Sequence, residues 1–227
     1  MIQTLKVRPK AIIVNNPSNP LGTGINYEIL LKNLQNFPGL GIEIIFDETY
    51  VNLVYDETDT YVPNIPATRI RSFSKEHCAP GLRIGYAVGE KTIAGTMSDL
   101  ISLTISCVPS FIQLAVADYL GSPESIQFTK ALKDEMSIRI KYLESLIPKN
   151  ALQNRPNAAF YALLNTGVKN GNDTFNYLLS HNVSTCPGSK FGNNTDHAIR
   201  VSLTGPKNNF EKDVNMLVLA LKDWIHF

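Results

Sequence analysis

The spacing of apolar residues divides the chain into short strands and helices. Apolar, β-branched runs at 10–16 and 42–47 predict two buried strands, with a helix near 26–36 between them. Two further runs, at 68–73 and 84–89, predict additional strands. Because a helix connects the first two strands, we expect them to run parallel, as is typical of an α/β fold.

The second half of the chain has a different order of elements. A helical region is predicted from 90 to 120, and the charged, amphipathic stretch Ser125–Leu146 predicts a long helix that ends before Pro148. The pattern then predicts a strand at 158–164, a helix at 172–181, strands at 183–186 and 197–203, and a closing helix at 207–225. We therefore predict one domain at 1–124 and a small α+β domain at 125–227.

Composition argues against several classes of protein. The 227 residues carry a net charge of +1, with Lys and Arg scattered, which gives no basis for binding nucleic acid or a charged membrane surface. No apolar run approaches the roughly 20 residues of a membrane span, and the first residues lack the apolar core of a signal peptide. The distant cysteines Cys78, Cys107 and Cys186 fit reduced thiols better than disulfides. We expect a cytoplasmic protein.

One lysine lies among groups that are suited to a phosphate-bearing cofactor. Lys75 follows Ser72 and Ser74, and Arg83 lies eight residues further on. Hydroxyls and a guanidinium are good phosphate ligands, and a lysine amine can bond covalently to a carbonyl carbon. Together they indicate a phosphorylated carbonyl cofactor held by Lys75, and pyridoxal 5'-phosphate fits that description. Taken alone, a lysine in such a sequence is more often an ordinary surface residue.

Two other segments place polar side chains after predicted strands. Asn19 lies in a proline-rich turn after the first strand, and Asp47 and Tyr50 lie at the end of the second. The C-terminal ends of parallel strands commonly form a ligand crevice, where a carboxylate can pair with a protonated pyridine nitrogen. Each segment alone is also explained as a turn or a helix cap. The three segments in this order are much harder to explain in that way.

With these motifs the chain resembles the fold-type I pyridoxal phosphate-dependent aminotransferases of class I/II, in particular the branch of histidinol-phosphate aminotransferase and threonine-phosphate decarboxylase. The motifs are an Asn-Pro-x-Gly turn, an Asp-x-x-Tyr strand end and a Ser-x-Ser-Lys block that continues into Gly-Leu-Arg-x-Gly-Tyr. Segments 187–192 and 198–202 match two further signatures. The resemblance implies an α/β fold, with an incomplete large domain of mostly parallel sheet and flanking helices, followed by a small α+β domain.

The resemblance implies catalytic roles for three residues. Lys75 is expected to bind pyridoxal 5'-phosphate covalently and then to move the substrate proton. Asp47 is expected to keep the pyridine nitrogen protonated, and Tyr50 to hydrogen-bond the cofactor's phenolic oxygen together with Asn19.

The same resemblance implies the binding residues. Ser72, Ser74 and Arg83 are expected to hold the phosphate. Arg200, assisted by Asn19, is expected to bind the α-carboxylate of the substrate, for which a planar guanidinium fork is well suited.

The loop after Lys75 departs from the family pattern. The family usually has small, aromatic or glycine residues there, whereas this chain has Glu76, His77 and Cys78. Glu76 adds a negative charge near the lysine. A single His–Cys pair is not a metal-ligand set, so we predict no metal site.

The resemblance begins near residue 10, so we expect the N-terminal portion of the family to be absent. That portion would supply further strands, a phosphate-binding helix start and a ring that stacks on the pyridine. We expect a companion polypeptide to provide it, and the completed unit to dimerise. A truncated reading frame, an artificial fragment or a decayed gene are the other origins that fit.

Three activities are compatible with these residues. Transamination between an amino acid, or a similar compound, and a 2-oxo acid is the leading interpretation. Decarboxylation or carbon–sulfur cleavage would use the same cofactor and the same Arg200. A remnant that binds no cofactor and pairs through exposed strand edges is the alternative outside enzymes.

Overall fold

The structure is a computed structural model that describes residues 9–55, 65–167 and 170–225. These residues form two compact units. Those of the first unit lie within 9–17, 24–52 and 65–130, and those of the second lie within 18–23, 53–55 and 131–225. The domain boundary expected after residue 124 stays a prediction.

A four-stranded mixed sheet forms the centre of the first unit. Its strands are, in spatial order, β1 (Ala11–Asn15), β2 (Glu43–Asp47), β3 (Thr68–Ser72) and β4 (Gly85–Val88). The first three run parallel, and β4 runs antiparallel to β3. The mostly parallel sheet expected from the sequence is confirmed.

One face of this sheet is covered by helix α1 (Tyr27–Leu34). Ile44 and Phe46 of β2 are fully buried and form an apolar cluster with Leu34 of the helix. Burial of such side chains contributes roughly 1.5–3 kcal/mol each. This cluster fixes β2, and with it the residues at the end of β2, relative to the rest of the sheet.

The opposite face of the sheet is open. Ile13 of β1 is 71% exposed, and Ile70 of β3 is also exposed. Asp47 pairs with Ile70 across β2 and β3. Because paired residues on neighbouring strands share a face, Asp47 belongs to the open face.

Three helices follow β3 in the first unit, the first of them between β3 and β4. They are α2 (Phe73–Glu76), α3 (Lys91–Ile105) and α4 (Ser110–Tyr119). None of the fifteen residues of α3, all of which the structure describes, is buried, and Leu103 is 83% exposed. Helix α3 therefore exposes apolar side chains that the described part of the chain does not cover.

The second unit is a three-stranded antiparallel sheet packed with helices. It contains the last part of α5 (Pro123–Leu146), the strands β5 (Tyr161–Asn165), β7 (Ala198–Ser202) and β6 (Cys186–Pro187) in that spatial order, and the helices α6 (Gly171–Ser180) and α7 (Phe210–Ile225). The strands pair antiparallel. Fully buried residues of the helices and the sheet form one core, which includes Ile140, Leu143, Leu164, Ile199 and Leu221.

The structure corrects two predicted boundaries in the first unit. The strand predicted at 68–73 ends at Ser72, because Phe73 begins α2. The helical region predicted from 90 to 120 is interrupted between α3 and α4, where Ser106 has a φ of +65°. A residue in that conformation ends a helix, and a helix readily restarts after a proline such as Pro109.

Two further corrections concern the second unit. The strand predicted at 158–164 begins only at Tyr161, because Ala159 has a φ of +61° and cannot continue an extended strand. Of the strand predicted at 183–186, only Cys186 forms part of the sheet, together with Pro187.

Candidate active site

The carboxylate of Asp47 lies at the C-terminal end of β2. It is opposite Asn15 of β1 and Ile70 of β3. Its Oδ1 accepts two hydrogen bonds from Thr49, one from the hydroxyl at 2.6 Å and one from the backbone N–H at 3.2 Å. This turn holds the half-buried carboxylate at the edge of the open sheet face, which is where ligands of parallel sheets bind.

Ser72 lies on the same face and at the same end of the sheet as Asp47. It comes two residues after Ile70, the partner of Asp47, so its side chain points to the same side. Its Oγ accepts a hydrogen bond from the backbone N–H of Ser74 at 3.2 Å and so caps α2. The cap explains why the chain turns into a helix at this point.

Lys75 is the third residue of α2 and lies three residues after Ser72, the last residue of β3. Both Lys75 and Ser74 are half-buried. Arg83 lies in the loop after α2, where it is exposed, and its Nη1 donates to the backbone oxygen of Pro80 at 3.0 Å. In this structure Arg83 therefore contacts its own turn.

The neighbour of Asp47 has a structural role. Glu48 is fully buried, and its two oxygens accept from Arg69 and, at 2.9 Å, from Arg71. A buried carboxylate is tolerated only when it is paired in this way. Tyr50, two residues further on, is buried as well. Of the two adjacent carboxylates, Asp47 is thus the one at the open face.

A second group of candidate residues meets in the second unit. Nη1 of Arg200, on the central strand β7, donates to Oδ1 of Asn19 at 3.0 Å. The guanidinium lies over two rings, at 4.7 Å from the centre of Phe191 and 5.2 Å from that of Tyr161. Such contacts restrict the orientation of the guanidinium plane.

The turn that carries Asn19 needs a glycine. Gly22 has a φ of +67°, and a Cβ there would lie 2.4 Å from the backbone oxygen of Tyr161. Any other residue would push the turn away from β5. The Asn-Pro-x-Gly motif therefore has a local structural reason.

The structure brings together some of the sequence-predicted residues. Asp47 and Ser72 share one end of one sheet face in the first unit, and Asn19 and Arg200 are hydrogen-bonded in the second. The roles assigned to all the candidate residues stay predictions.

Sequence reasoning missed the two rings beside Arg200. Phe191 lies inside a recognised signature, at 187–192, so the signal was present but had no assigned purpose. Tyr161 lies in the predicted strand. Its contact with Arg200 results from the pairing of β5 with β7, which only the structure shows.

The described residues form neither a cluster of metal ligands nor a helix that could span a membrane. No cluster of three or more His, Cys, Asp or Glu side chains in this part of the chain could hold a metal ion. Among the described helices, none has the length and apolar character needed to cross a bilayer.

The sequence is similar to one protein family over most of its length. The profile described as "Aminotransferase class I and II" matches residues 1–217. Among curated proteins, the chain is 26% identical over 231 residues to an aspartate aminotransferase of Pyrococcus horikoshii, which covers 98% of the chain and 59% of the relative. It is 29% identical over 208 residues to an aspartate aminotransferase of Thermococcus kodakarensis, covering 88% of the chain and 54% of the relative.

Solved structures share the fold. An aromatic aminotransferase from Pyrococcus horikoshii superimposes with a TM-score of 0.86 at 24% identity, over 94% of this chain and 60% of the other. An aspartate aminotransferase from Thermus thermophilus with maleate gives a TM-score of 0.87 at 24% identity, over 96% and 58%. The chain thus spans between half and two thirds of the length of the proteins that it matches.

Proposed function

We propose, from the premise that this chain belongs to the class I and II aminotransferase family, that it carries the lysine-bearing part of a pyridoxal 5'-phosphate site and takes part in amino-group transfer between an amino acid and a 2-oxo acid. The resemblance seen in the sequence is confirmed at the level of the family, whose members use this cofactor. Assignment to the histidinol-phosphate branch stays a prediction.

The observation that carries the proposal is the placement of Asp47 and Ser72. They lie on one face and at one end of the sheet, and Lys75 follows three residues after the strand. This set fits the cofactor, because it combines a carboxylate for a pyridine nitrogen, a hydroxyl for a phosphate and an amine for a carbonyl carbon. Ser74 and Arg83 would complete the phosphate ligands.

The residues of the chain have distinct tasks in this proposal. When bound, the cofactor supplies an electron sink for negative charge that develops on the substrate carbon. Asp47 holds a proton on the pyridine nitrogen, and Tyr50 donates to the phenolic oxygen. Lys75 supplies the amine that holds the cofactor and later the base that moves the proton of the substrate α-carbon.

Arg200 is proposed to bind the substrate carboxylate. A guanidinium has five N–H donors, and the hydrogen bond to Asn19 uses one of them. Phe191 and Tyr161 fix the plane of the remaining donors. A fixed fork is suited to a bidentate contact with a carboxylate.

We further propose that a second polypeptide completes the first unit and that the completed unit dimerises in the cytoplasm. The exposed apolar residues of α3 and α4 support this, above all Leu103 and Phe111, which is 74% exposed. Isolated apolar residues on a surface are normal, but a helix without any buried residue is typical of an interaction surface.

An amino-transfer assay tests the proposed function. The chain, alone and co-expressed with candidate first-half polypeptides, is given pyridoxal 5'-phosphate, a 2-oxo acid and a series of amino acids. Aspartate comes first, because the relatives' names include it. We expect a new amino acid to form, and Lys75→Ala to abolish its formation while Lys91→Ala does not.

Other outcomes of the assay contradict the proposal. Release of carbon dioxide or sulfide without amino transfer would favour a decarboxylase or lyase. A Lys75→Ala protein that transfers amino groups at the wild-type rate would remove the lysine from the site.

A further inference from the structure

We infer that Asn52 and Glu76 are positioning residues that hold the Lys75 turn against the segment carrying Asp47 and Tyr50. We call their contact the Asn52–Glu76 tie. The inference rests on the proposed function, because it assigns to the tie the orientation of the Lys75 amine. It concerns the one part of the motif where this chain departs from its family pattern.

The tie joins two segments of the first unit that are far apart in sequence. Nδ2 of Asn52 donates to Oε2 of Glu76 at 2.6 Å, across 24 residues of chain. Asn52 lies in the short 3-10 helix Val51–Leu53, directly after Tyr50. Glu76 is the last residue of α2 and follows Lys75. The bond therefore connects Glu76, the neighbour of Lys75, to the segment that begins with Asp47, the predicted partner of the pyridine nitrogen.

Burial makes this contact specific. Glu76 is only 3% exposed, and a buried carboxylate is strongly destabilising unless hydrogen bonds or charges compensate it. Its other oxygen, Oε1, lies 3.5 Å from Nε2 of His77. The His77 ring in turn stacks on Phe73 at 5.5 Å and meets the edge of Tyr119 at 5.6 Å. The carboxylate is thus held between an amide and a ring that is itself packed.

Helix α2 needs such an external constraint. It has four residues, Phe73–Glu76, and a single turn of helix is not stable by itself. The cap by Ser72 fixes its first residues, and the tie fixes its last residue. Lys75 lies between these two fixed points. A misplacement of about 1 Å in a reacting group can cost a factor on the order of 100 in rate.

The experiment measures covalent attachment of the cofactor rather than turnover. Protein in the form that binds pyridoxal 5'-phosphate, alone or with its companion polypeptide, is saturated with the cofactor. The first-order rate constant of attachment is followed by absorbance and by borohydride trapping. Each rate is normalised to folded protein, which is measured by circular dichroism.

Four variants separate positioning from stability. Glu76→Ala removes the tie, and we expect attachment to slow by about 10- to 100-fold. Glu76→Gln keeps an oxygen that can accept from Asn52, so attachment should stay within about threefold of wild type. Asn52→Asp places a second carboxylate beside that of Glu76, and the repulsion should slow attachment on the order of tenfold or more. The double variant Asn52→Asp with Glu76→Gln restores a donor and an acceptor and should recover most of the rate. Glu90→Ala, an exposed carboxylate of the same unit, is the matched control and should have no effect.

The outcomes distinguish this inference from the proposed function. If the unmodified protein is not labelled at any lysine, the proposed function fails and the inference fails with it. If Lys75 is labelled normally but the attachment rates of Glu76→Ala and Asn52→Asp equal that of wild type, only the inference is overturned. Should Glu76→Ala not fold, the recovery of the double variant relative to Asn52→Asp decides, and the absence of recovery overturns the tie.

Discussion

At the scale of single residues, the proposed binding of a carboxylate by Arg200 depends on the planar shape of the guanidinium as much as on its charge. The two rings beside it and its bond to Asn19 hold a planar group in one orientation. Arg200→Lys keeps the charge and loses the fork. Hydrogen bonds to charged groups contribute roughly 1.5–3 kcal/mol, so we predict a loss in kcat/KM of about tenfold to several hundredfold. Steady-state kinetics check this, with Arg155→Lys, an exposed arginine, as control. Unchanged kinetics would exclude Arg200 from the site.

The two adjacent carboxylates Asp47 and Glu48 allow a second test at this scale. Glu48→Gln leaves Arg69 and Arg71 without their buried partner, so the free energy of unfolding should fall by roughly 3–5 kcal/mol. Asp47→Asn keeps an oxygen for the bonds from Thr49, so stability should change by less than about 1 kcal/mol while cofactor-dependent activity is lost. Urea unfolding and the amino-transfer assay measure the two effects. The reverse assignment of effects would make Glu48 the functional carboxylate.

At the scale of secondary-structure elements, Arg139 ties helix α5 to the end of β7. Its Nη1 donates to the backbone oxygens of Leu203 and Gly205, each at 2.6 Å. Its Nε donates to Glu135 at 2.9 Å, and its guanidinium lies 4.6 Å from the ring centre of Phe210. Arg139 therefore donates hydrogen bonds to two carbonyl groups just beyond the end of β7 and links this segment to helix α5.

The pH dependence of this link can be predicted. The hydrogen bond from Lys207, followed by that from Arg139, lowers the pKa of Glu135 below its ordinary 4.5. A depressed folded-state pKa means that the stabilisation is present above the unfolded pKa and is lost as pH falls through the folded one. We predict that wild type is more stable than Glu135→Gln by a constant amount above about pH 5, and that the difference narrows below about pH 4. Urea unfolding across this range measures it, with the exposed Glu124→Gln as control. A pH-independent difference would contradict the role of the charge.

How far the sequence predicts these elements depends on their length. The apolar runs of β1 and β2 and the amphipathic pattern of α5 and α7 are long enough to have a period, and these elements were predicted to within a few residues. Helix α2 has four residues and β6 has two, which is too short for any period. Helix α2 is held by the local cap from Ser72 and by the bond from Asn52, and β6 by its pairing with β7. The last two contacts join residues far apart in sequence, which no periodic pattern shows.

The residues of the candidate site also differ in how far the sequence predicts them. Lys75 and Asp47 can be proposed from the sequence because each lies in a compact motif, whereas the Asn52–Glu76 tie and the rings beside Arg200 join residues far apart in sequence. A single sequence gives no signal for such pairs. In the sequence Glu76 differs from the family pattern without an evident partner, and the structure shows that Asn52 donates a hydrogen bond to it.

In the whole molecule, the proposed assembly requires that exposed apolar residues of α3 and α4 contact another polypeptide. Leu103→Ser and Phe111→Ser alter exposed positions, so the stability of the chain itself should change by less than about 0.5 kcal/mol. Binding of the companion polypeptide should weaken by on the order of tenfold or more. Leu219→Ser, at a 63% exposed position of α7 in the second unit, is the matched control. Size-exclusion chromatography of the co-expressed proteins measures assembly, and unaffected assembly in the first two variants would place the partner elsewhere.

The position of the covalent label tests most directly whether Lys75 holds pyridoxal 5'-phosphate. Pyridoxal 5'-phosphate is added to the protein, in the assembled form that binds it, borohydride fixes the bond, and peptide mapping by mass spectrometry finds the modified lysine. We predict a single pyridoxyl group on Lys75, which lies three residues beyond the strand that ends with Ser72. A label on Lys91 or any other lysine, or no label at all, would contradict it.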